Sequence, residues 1–209
     1  MQVNRLTSRG PEYPVHVTLR DGTGAIMRPV EPSDAGKLVA GLQRLSPESR
    51  VARFFYAKEE LTPLELQRFT ERNPDRHIAL GLAITDDSDH ELDAVGIVHC
   101  FRDGPGSSSG EVAFAVVDEW QHLGIGTALI QQLALHCWNR GIRSWRATFL
   151  QKNRAPVKLL ARVADNLITR ETAGGALTVE CRLRSPASKV SGAAFEATFR
   201  AGGEADLAD

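Results

Sequence analysis

Residues 119–138 read EWQHLGIGTALIQQLALHCW: a turn, two glycines, then a helix. From Thr127 onward Ala128, Leu129, Leu133, Leu135 and Trp138 recur at helical spacing, so a helix follows the glycines. Gly124 and Gly126 stand at its first turn, although glycine costs about 1 kcal/mol relative to alanine inside a helix. A helix N-terminus carries free backbone N–H groups and the positive end of the peptide dipole, and both favour an anion. Two residues without Cβ let a phosphate reach those amides. Taken alone, the same G-x-G also fits a tight strand-to-helix connection that binds nothing.

The flanks narrow the choice. EVAFAVV (111–117) precedes the loop as an apolar strand, and SWRATFL (144–150) follows the helix as another. This is the one clear strand–helix–strand crossover. A doubly wound dinucleotide fold needs several, with an acid after the second strand to hold a ribose. Gln151 and Lys152 stand there instead. Upstream, HVTLRDGTGAIMRPV (16–30) alternates around Asp21-Gly22 as a hairpin. Ser33 is placed to cap a helix through Leu38, Val39, Leu42 and Leu45. SPESRVARFF (46–55) and TPLELQRFT (62–70) read as two more helices, the latter capped at Thr62 with Pro63 in its first turn. HIALGLAIT (77–85) and DAVGIVHCF (93–101) are strands around an acidic turn. RAPVKLLARVAD (154–165) is a helix, and LITRETAGGALTVECRL (167–183) a last hairpin.

Composition sets the outer bounds. The chain has 209 residues, the size of one domain, with 25 Lys and Arg against 26 Asp and Glu. That balance argues against nucleic acid as the partner. No apolar run is long enough for a membrane span or a signal core, so no membrane association is expected. Cys100, Cys137 and Cys181 are far apart and odd in number, which reads as buried, reduced thiols in a cytoplasmic protein. DDSDHELD (86–93) lacks the glycine and terminal glutamate of a calcium loop, and no metal is expected.

With strand, loop and second strand together, the stretch from Glu111 to Asn153 resembles the core of the GNAT superfamily of acyl-CoA-dependent N-acyltransferases. Gln121, Gly124 and Gly126 match the Q/R-x-x-G-x-G/A signature, and the likeness extends from about Val15 to Leu183. LSPES (45–49) followed by RFF (53–55) is similar to the catalytic domains of bacterial protein lysine acetyltransferases. The resemblance implies an α+β GNAT fold at residues 15–184. Its mixed, mostly antiparallel sheet would be flanked by helices and splayed by a bulge between 111–117 and 144–150. Residues 1–14 would be an N-terminal segment and 185–209 a disordered tail.

It also implies the site. The amides of Gln121, His122, Leu123, Gly124, Ile125, Gly126 and Thr127 would hold the pyrophosphate of acetyl-CoA. Pantetheine would pair with backbone near Val116 and Val117, and Asn153 would reach its amides or else cap the next helix. Glu111 would be the general base that takes a proton from the attacking amine; as a residue alone it is an ordinary strand-end glutamate. A backbone N–H near Phe114 to Val116 would hold the oxyanion. Many relatives use a tyrosine on the following helix to protonate the leaving thiolate, and Leu160 stands at that position. Tyr13 and Tyr56 are the only tyrosines. His99 could line the acceptor site or be an ordinary strand histidine. The expected reaction moves acetyl to a protein lysine. A small-molecule amine as acceptor, or an acyl-CoA-binding module without turnover, are the alternatives. Oligomeric state is not readable from the sequence.

Overall fold

A single eight-stranded sheet, in the order β1-β2-β3-β4-β5-β6-β8-β7, organises the residues described by the computed structural model, 13–187. In chain order the elements are β1 (Val15–Thr18), β2 (Gly24–Pro29), α1 (Ala35–Gln43), α2 (Pro47–Phe54), α3 (Pro63–Thr70), β3 (His77–Thr85), β4 (Glu91–Arg102), β5 (Ser109–Val116), α4 (Ile125–Asn139), β6 (Ser144–Leu150), α5 (Ala155–Ala161), β7 (Ala164–Thr172) and β8 (Ala176–Leu183). Every neighbouring pair is antiparallel except β5 and β6. The α+β GNAT-type layout expected from the sequence is therefore present. The segment 1–12 and the tail beyond Ala187 lie outside the described residues.

Local chemistry sets most of the boundaries. Ser46 accepts the Ser49 N–H at the start of α2, and Thr62 and Glu65 form a reciprocal capping box at α3. The expected cap at Ser33 does not form. No side chain caps α1, and Ser33 lies inside the short 3-10 turn Pro32–Asp34, which Asp34 closes by accepting the Glu31 N–H on Oδ2 at 2.9 Å. Arg28 fixes this carboxylate with two hydrogen bonds of 2.8 and 2.9 Å, which a serine hydroxyl could not hold. The last helix also ends earlier than its apolar pattern suggests. α5 stops at Ala161, and Ala164 already pairs with Leu183, because the β8 ladder satisfies backbone that a further helical turn would leave at the surface.

α4 lies on one face of the sheet, across β3 and β4. A Cβ on Gly96 would come within 2.8 Å of Ile125 Cγ2 and 3.0 Å of Leu129 Cδ1, so close packing explains that glycine. Leu129, Leu133 and Cys137 are completely buried there, and Leu160 of α5 joins the same core. α1, α2 and α3 cover the opposite face of β4 and β5, where Ile97, His99 and Ala115 point. On that side the outward residues of β8 and β7 (Glu180, Arg182, Asn166 and Ile168) are exposed.

β5 and β6 pair only over Ser109–Ser144, Gly110–Trp145 and Glu111–Arg146, and then diverge. The splay expected from the sequence is there, but the bulge expected in β5 is not. The β4–β5 register runs unbroken from Gly96–Val116 to Arg102–Gly110, and the register shifts lie between β3 and β4 and between β7 and β8 instead. β5 follows its ladder with β4 and β6 follows β8. At the opening between them Phe114 and Phe149 stand with ring centroids 6.1 Å apart.

Candidate active site

The cleft opens at the apex of the splay and runs to the N-terminus of α4. Val117 donates its N–H to the Val95 carbonyl at 2.9 Å, which fixes the alternation along β5. Ala113 and Ala115 then bond to β4, whereas the N–H and C=O groups of Phe114 and Val116, beyond the last β5–β6 pair, face the opening. The Val117 N–H is thus bound to Val95, and its carbonyl accepts the Trp120 N–H at 2.9 Å. Val116 is open, and its carbonyl accepts Gln121 Nε2 at 3.2 Å.

Gln121, His122, Leu123 and Gly124 then lead into α4. His122 (φ 66°) and Gly124 (φ 98°) both have left-handed backbone, which a residue with a Cβ adopts at a cost; at Gly124 that conformation accounts for the glycine. No side chain caps α4 and no acid occupies its first turn. Thr127 and Ala128 donate to the Gly124 carbonyl at 3.0 Å, so the Thr127 amide is not free for an anion, contrary to expectation. Among the described residues the N–H groups from His122 to Gly126 have no such partner. The second glycine has another reason as well: a Cβ on Gly126 would lie 3.1 Å from Leu159 Cδ1, so α5 packs against that turn.

Two parts of this cradle have no local sequence signal. Arg20, in the β1–β2 turn, donates from its backbone to the Leu123 carbonyl and from Nη1 to the His122 carbonyl, both at 3.1 Å. Its guanidinium adds a positive charge beside the amides. Asp118 accepts the Ser46 N–H, the Ser46 hydroxyl and the Ser49 hydroxyl at 3.0, 2.9 and 2.7 Å. These bonds hold its carboxyl below the ordinary range despite desolvation, and they fasten the start of α2 to the cradle. The LSPES stretch thus has a structural meaning that needed the tertiary contact to be seen.

Glu111 lies at the apex of the splay. It is exposed, and its carboxylate has no hydrogen bond or ion pair among the described residues. In register it sits in a row across the sheet, Phe101–Glu111–Arg146–Glu180–Ile168, on the face shared with α2 and α3. Arg53 of α2 is near enough for the two charges to interact. Burial holds the Arg53 guanidinium down to about 10, against the opposing pull of Glu111 and Glu65, and it stays charged at neutral pH. A cleft lined by Leu42, Leu45, Arg53, Phe54, Phe69 and His99 continues beneath α1–α3. His99 is buried and bonds through Nδ1 to His77 Nε2 at 2.9 Å.

Asn153 closes the far side of the cleft. Its Oδ1 accepts the Ala155 N–H at 3.3 Å, so the capping role is present, and its amide NH2 is left to donate elsewhere. Leu160 is wholly buried in the core and faces no cleft. Neither tyrosine approaches the opening. Tyr13 packs against His136 with ring centroids 5.2 Å apart, and the Tyr56 hydroxyl accepts from Lys58 at 2.9 Å. Among the described residues no three His, Cys, Asp or Glu side chains converge as a metal site, and no helix is long and apolar enough to cross a membrane.

A family model described as an acetyltransferase (GNAT) domain matches residues 25–164. Acetyltransferase Pat of Mycolicibacterium smegmatis is 28% identical over 171 residues, which are 79% of this chain and 48% of that protein. The chain thus spans about half the length of that curated relative. The GNAT domain of S. lividans PAT superposes with a TM-score of 0.69 at 29% identity, covering 82% of this chain and 100% of that one. The PaiA N-acetyltransferase of Thermoplasma acidophilum, solved in complex with coenzyme A, shares the fold with a TM-score of 0.59 at 14% identity, over 76% of this chain and 98% of that one.

Proposed function

The chain belongs to the GNAT acetyltransferase family, and we propose that it carries acetyl from acetyl-CoA to the side-chain amine of a lysine in another protein. The observation that supports this reading most directly is the joining of two features. An uncapped, acid-free helix N-terminus built for an anion adjoins a strand opening whose apex carries an unpaired carboxylate. The pyrophosphate would take the amides from His122 to Gly126, with Arg20 beside them. Pantetheine would lie along the backbone of Phe114 and Val116, and the amide of Asn153 would donate to one of its carbonyls.

Glu111 takes a proton from the acceptor ammonium, directly or through water, which frees the nitrogen lone pair. The nitrogen attacks the thioester carbonyl, and the new oxyanion takes the N–H of Phe114, which points into the opening. The carbon–sulfur bond then breaks, coenzyme A leaves as a thiolate, and the nitrogen passes its second proton through water to that thiolate, whose thiol has a pKa of about 8.5 in the free state. Tyr13 is packed on His136 and the Tyr56 hydroxyl is engaged by Lys58, so neither is assigned as the acid. The resemblance of LSPES and RFF (45–49 and 53–55) to bacterial protein lysine acetyltransferases supports a protein acceptor, as does the open sheet face beside Glu111.

Mass spectrometry of a cell lysate incubated with the protein and isotopically labelled acetyl-CoA tests the reading, with Glu111→Gln as control. Label on particular lysines, lost in the control, is the expected result. Label on small amines alone would replace the acceptor. No label above background, with acetyl-CoA still bound in calorimetry, would leave an acyl-CoA-binding module.

A further inference from the structure

Three arginines stand on the elements that surround Glu111. Arg146 is its register neighbour on β6 and is held by Asp103 at 3.2 Å. Arg68 of α3 lies over the ring of Phe101, the cross-strand partner of Glu111, 4.5 Å from the ring centroid. Arg53 of α2 lies 4.8 Å from the centroid of Phe54 and lines the apolar cleft. The charges of Arg53 and Arg68 both reach His99, which places them on one side of one strand. Among the described residues neither Arg53 nor Arg68 has a carboxylate within 4.0 Å. Every other arginine of α1–α3 has a partner: Arg44 pairs with Asp93 and Glu119, Arg50 donates to the Leu45 carbonyl, and Arg72, just past α3, pairs with Glu31.

Stacking on an aromatic ring returns little of what a half-buried guanidinium loses in hydration. Arg53, so desolvated, and the exposed Arg68 stand on the same side of the sheet as the proposed base, each without a carboxylate within 4.0 Å. Asp103 neutralises Arg146 and Lys58 takes Glu65, so an ammonium arriving alone would meet two unpaired cations against the single carboxylate of Glu111. From this juxtaposition we infer that the acceptor lysine lies in an acidic segment, and that Arg53 and Arg68 bind a carboxylate on a residue next to it. The inference rests on the lysine-acceptor reading above. The uncovered face of β6, β8 and β7 gives such a segment room to lie across the row from Arg146 to Ile168. A cleft made for a lysine alone would need only apolar walls and Glu111.

The test uses three peptides with a single lysine, flanked on both sides by Glu, by Gln or by Arg, with acetyl-CoA as donor. The expected kcat/KM is about tenfold higher for the Glu-flanked than for the Gln-flanked peptide, and lower again for the Arg-flanked one. In Arg53→Gln/Arg68→Gln the ratio of Glu-flanked to Gln-flanked should collapse to near one, and Arg68→Lys should restore part of it. If the double variant melts early, Arg68→Gln alone carries the comparison, because that side chain is exposed. Equal kcat/KM for the three peptides, or a ratio that survives in Arg68→Gln, would overturn the inference and leave the lysine reading standing. Should no peptide react, free amino acids are compared with their amides. Turnover of the acid alone sinks the lysine reading and keeps the carboxylate site; equal turnover, or none of either, sinks both.

Discussion

Lowering the pH from 7 to 5 should unfold this protein through its histidines before its carboxylates take part. His77, His99 and His136 are 4%, 2% and 6% exposed. Burial, with a smaller contribution from neighbouring cations, pushes His77 and His136 down to about 4 and His99 well below its ordinary value. Their hydrogen bonds explain why a proton is unwelcome. His77 Nδ1 lies 3.3 Å from the Glu71 carbonyl, to which it can only donate, so Nε2 accepts from His99 Nδ1. His136 Nδ1 accepts from Arg140 Nη1 at 3.1 Å, and a protonated ring would lose that bond.

The sign follows from proton counting. In the unfolded chain each imidazole titrates near 6.5, so between that value and about 4 the unfolded state binds more protons than the folded one. The stability that these groups contribute is complete above pH 6.5 and is lost as the pH falls towards 4. One group titrating only in the unfolded state gives a slope of up to about 1.4 kcal/mol per pH unit. From pH 7 to pH 5 His77 and His136 then cost about 2 kcal/mol each, and His99 acts in the same direction. That is a large part of a typical domain stability of about 5–15 kcal/mol. Asp34, held near 2 chiefly by Arg28, works in a lower window: its contribution is present above about pH 4 and fades only as the pH falls towards 2. Urea unfolding at pH 7, 6 and 5 and constant ionic strength measures the slope. His136→Gln keeps an acceptor for Arg140 and should flatten it by about 1.4 kcal/mol per pH unit. A stability unchanged between pH 7 and 5, or an undiminished slope in His136→Gln, would refute the argument.

Three further outcomes are expected. Glu111→Gln should lower kcat by about 100- to 10,000-fold while the acetyl-CoA Kd changes less than about twofold, since the side chain faces the acceptor; rapid-quench kinetics with calorimetry separates the two, and a loss of less than about tenfold would point to another base. Gly124→Val should both weaken acetyl-CoA binding by at least about tenfold and lower the Tm, because a β-branched residue at φ 98° is strained by roughly 1–3 kcal/mol; near wild-type affinity in calorimetry would remove the amide cradle from the reading. Leu160→Tyr should destabilise the fold by roughly 1–3 kcal/mol without raising turnover, as the leucine is 0% exposed in the core; a faster enzyme with an unchanged melting curve would show that position reaching the cleft after all.

Much of the site was legible because its parts are local. The glycine-led start of α4, the apolar strand before it and the strand after it are contiguous in sequence, and each carries its own periodicity. The helix cap at Thr62 was legible for the same reason, since a cap needs only a side chain three residues from an amide. What was misread depended on partners far away. Ser33 lies inside a turn that Asp34 closes onto the Glu31 N–H, and Arg28, itself tied to Glu91, holds that aspartate. Val117 looked open until the β4 ladder took its N–H.

From the sequence alone came the order of elements, the position of the glycine-led turn and the single crossover that implies a parallel pair. All three rest on patterns repeating within a few residues, where geometry ties side-chain spacing directly to backbone form. Only the tertiary structure decided where β5 leaves β6, that the β1–β2 turn brings Arg20 to the cradle, and that Arg53 comes within reach of Glu111 while Arg68 lies over Phe101 beside it. These are encounters between residues tens of positions apart. Which strands pair and which charges meet is settled by the packing of the whole core, and a one-residue change of register in β5 would have turned Glu111 to the opposite face.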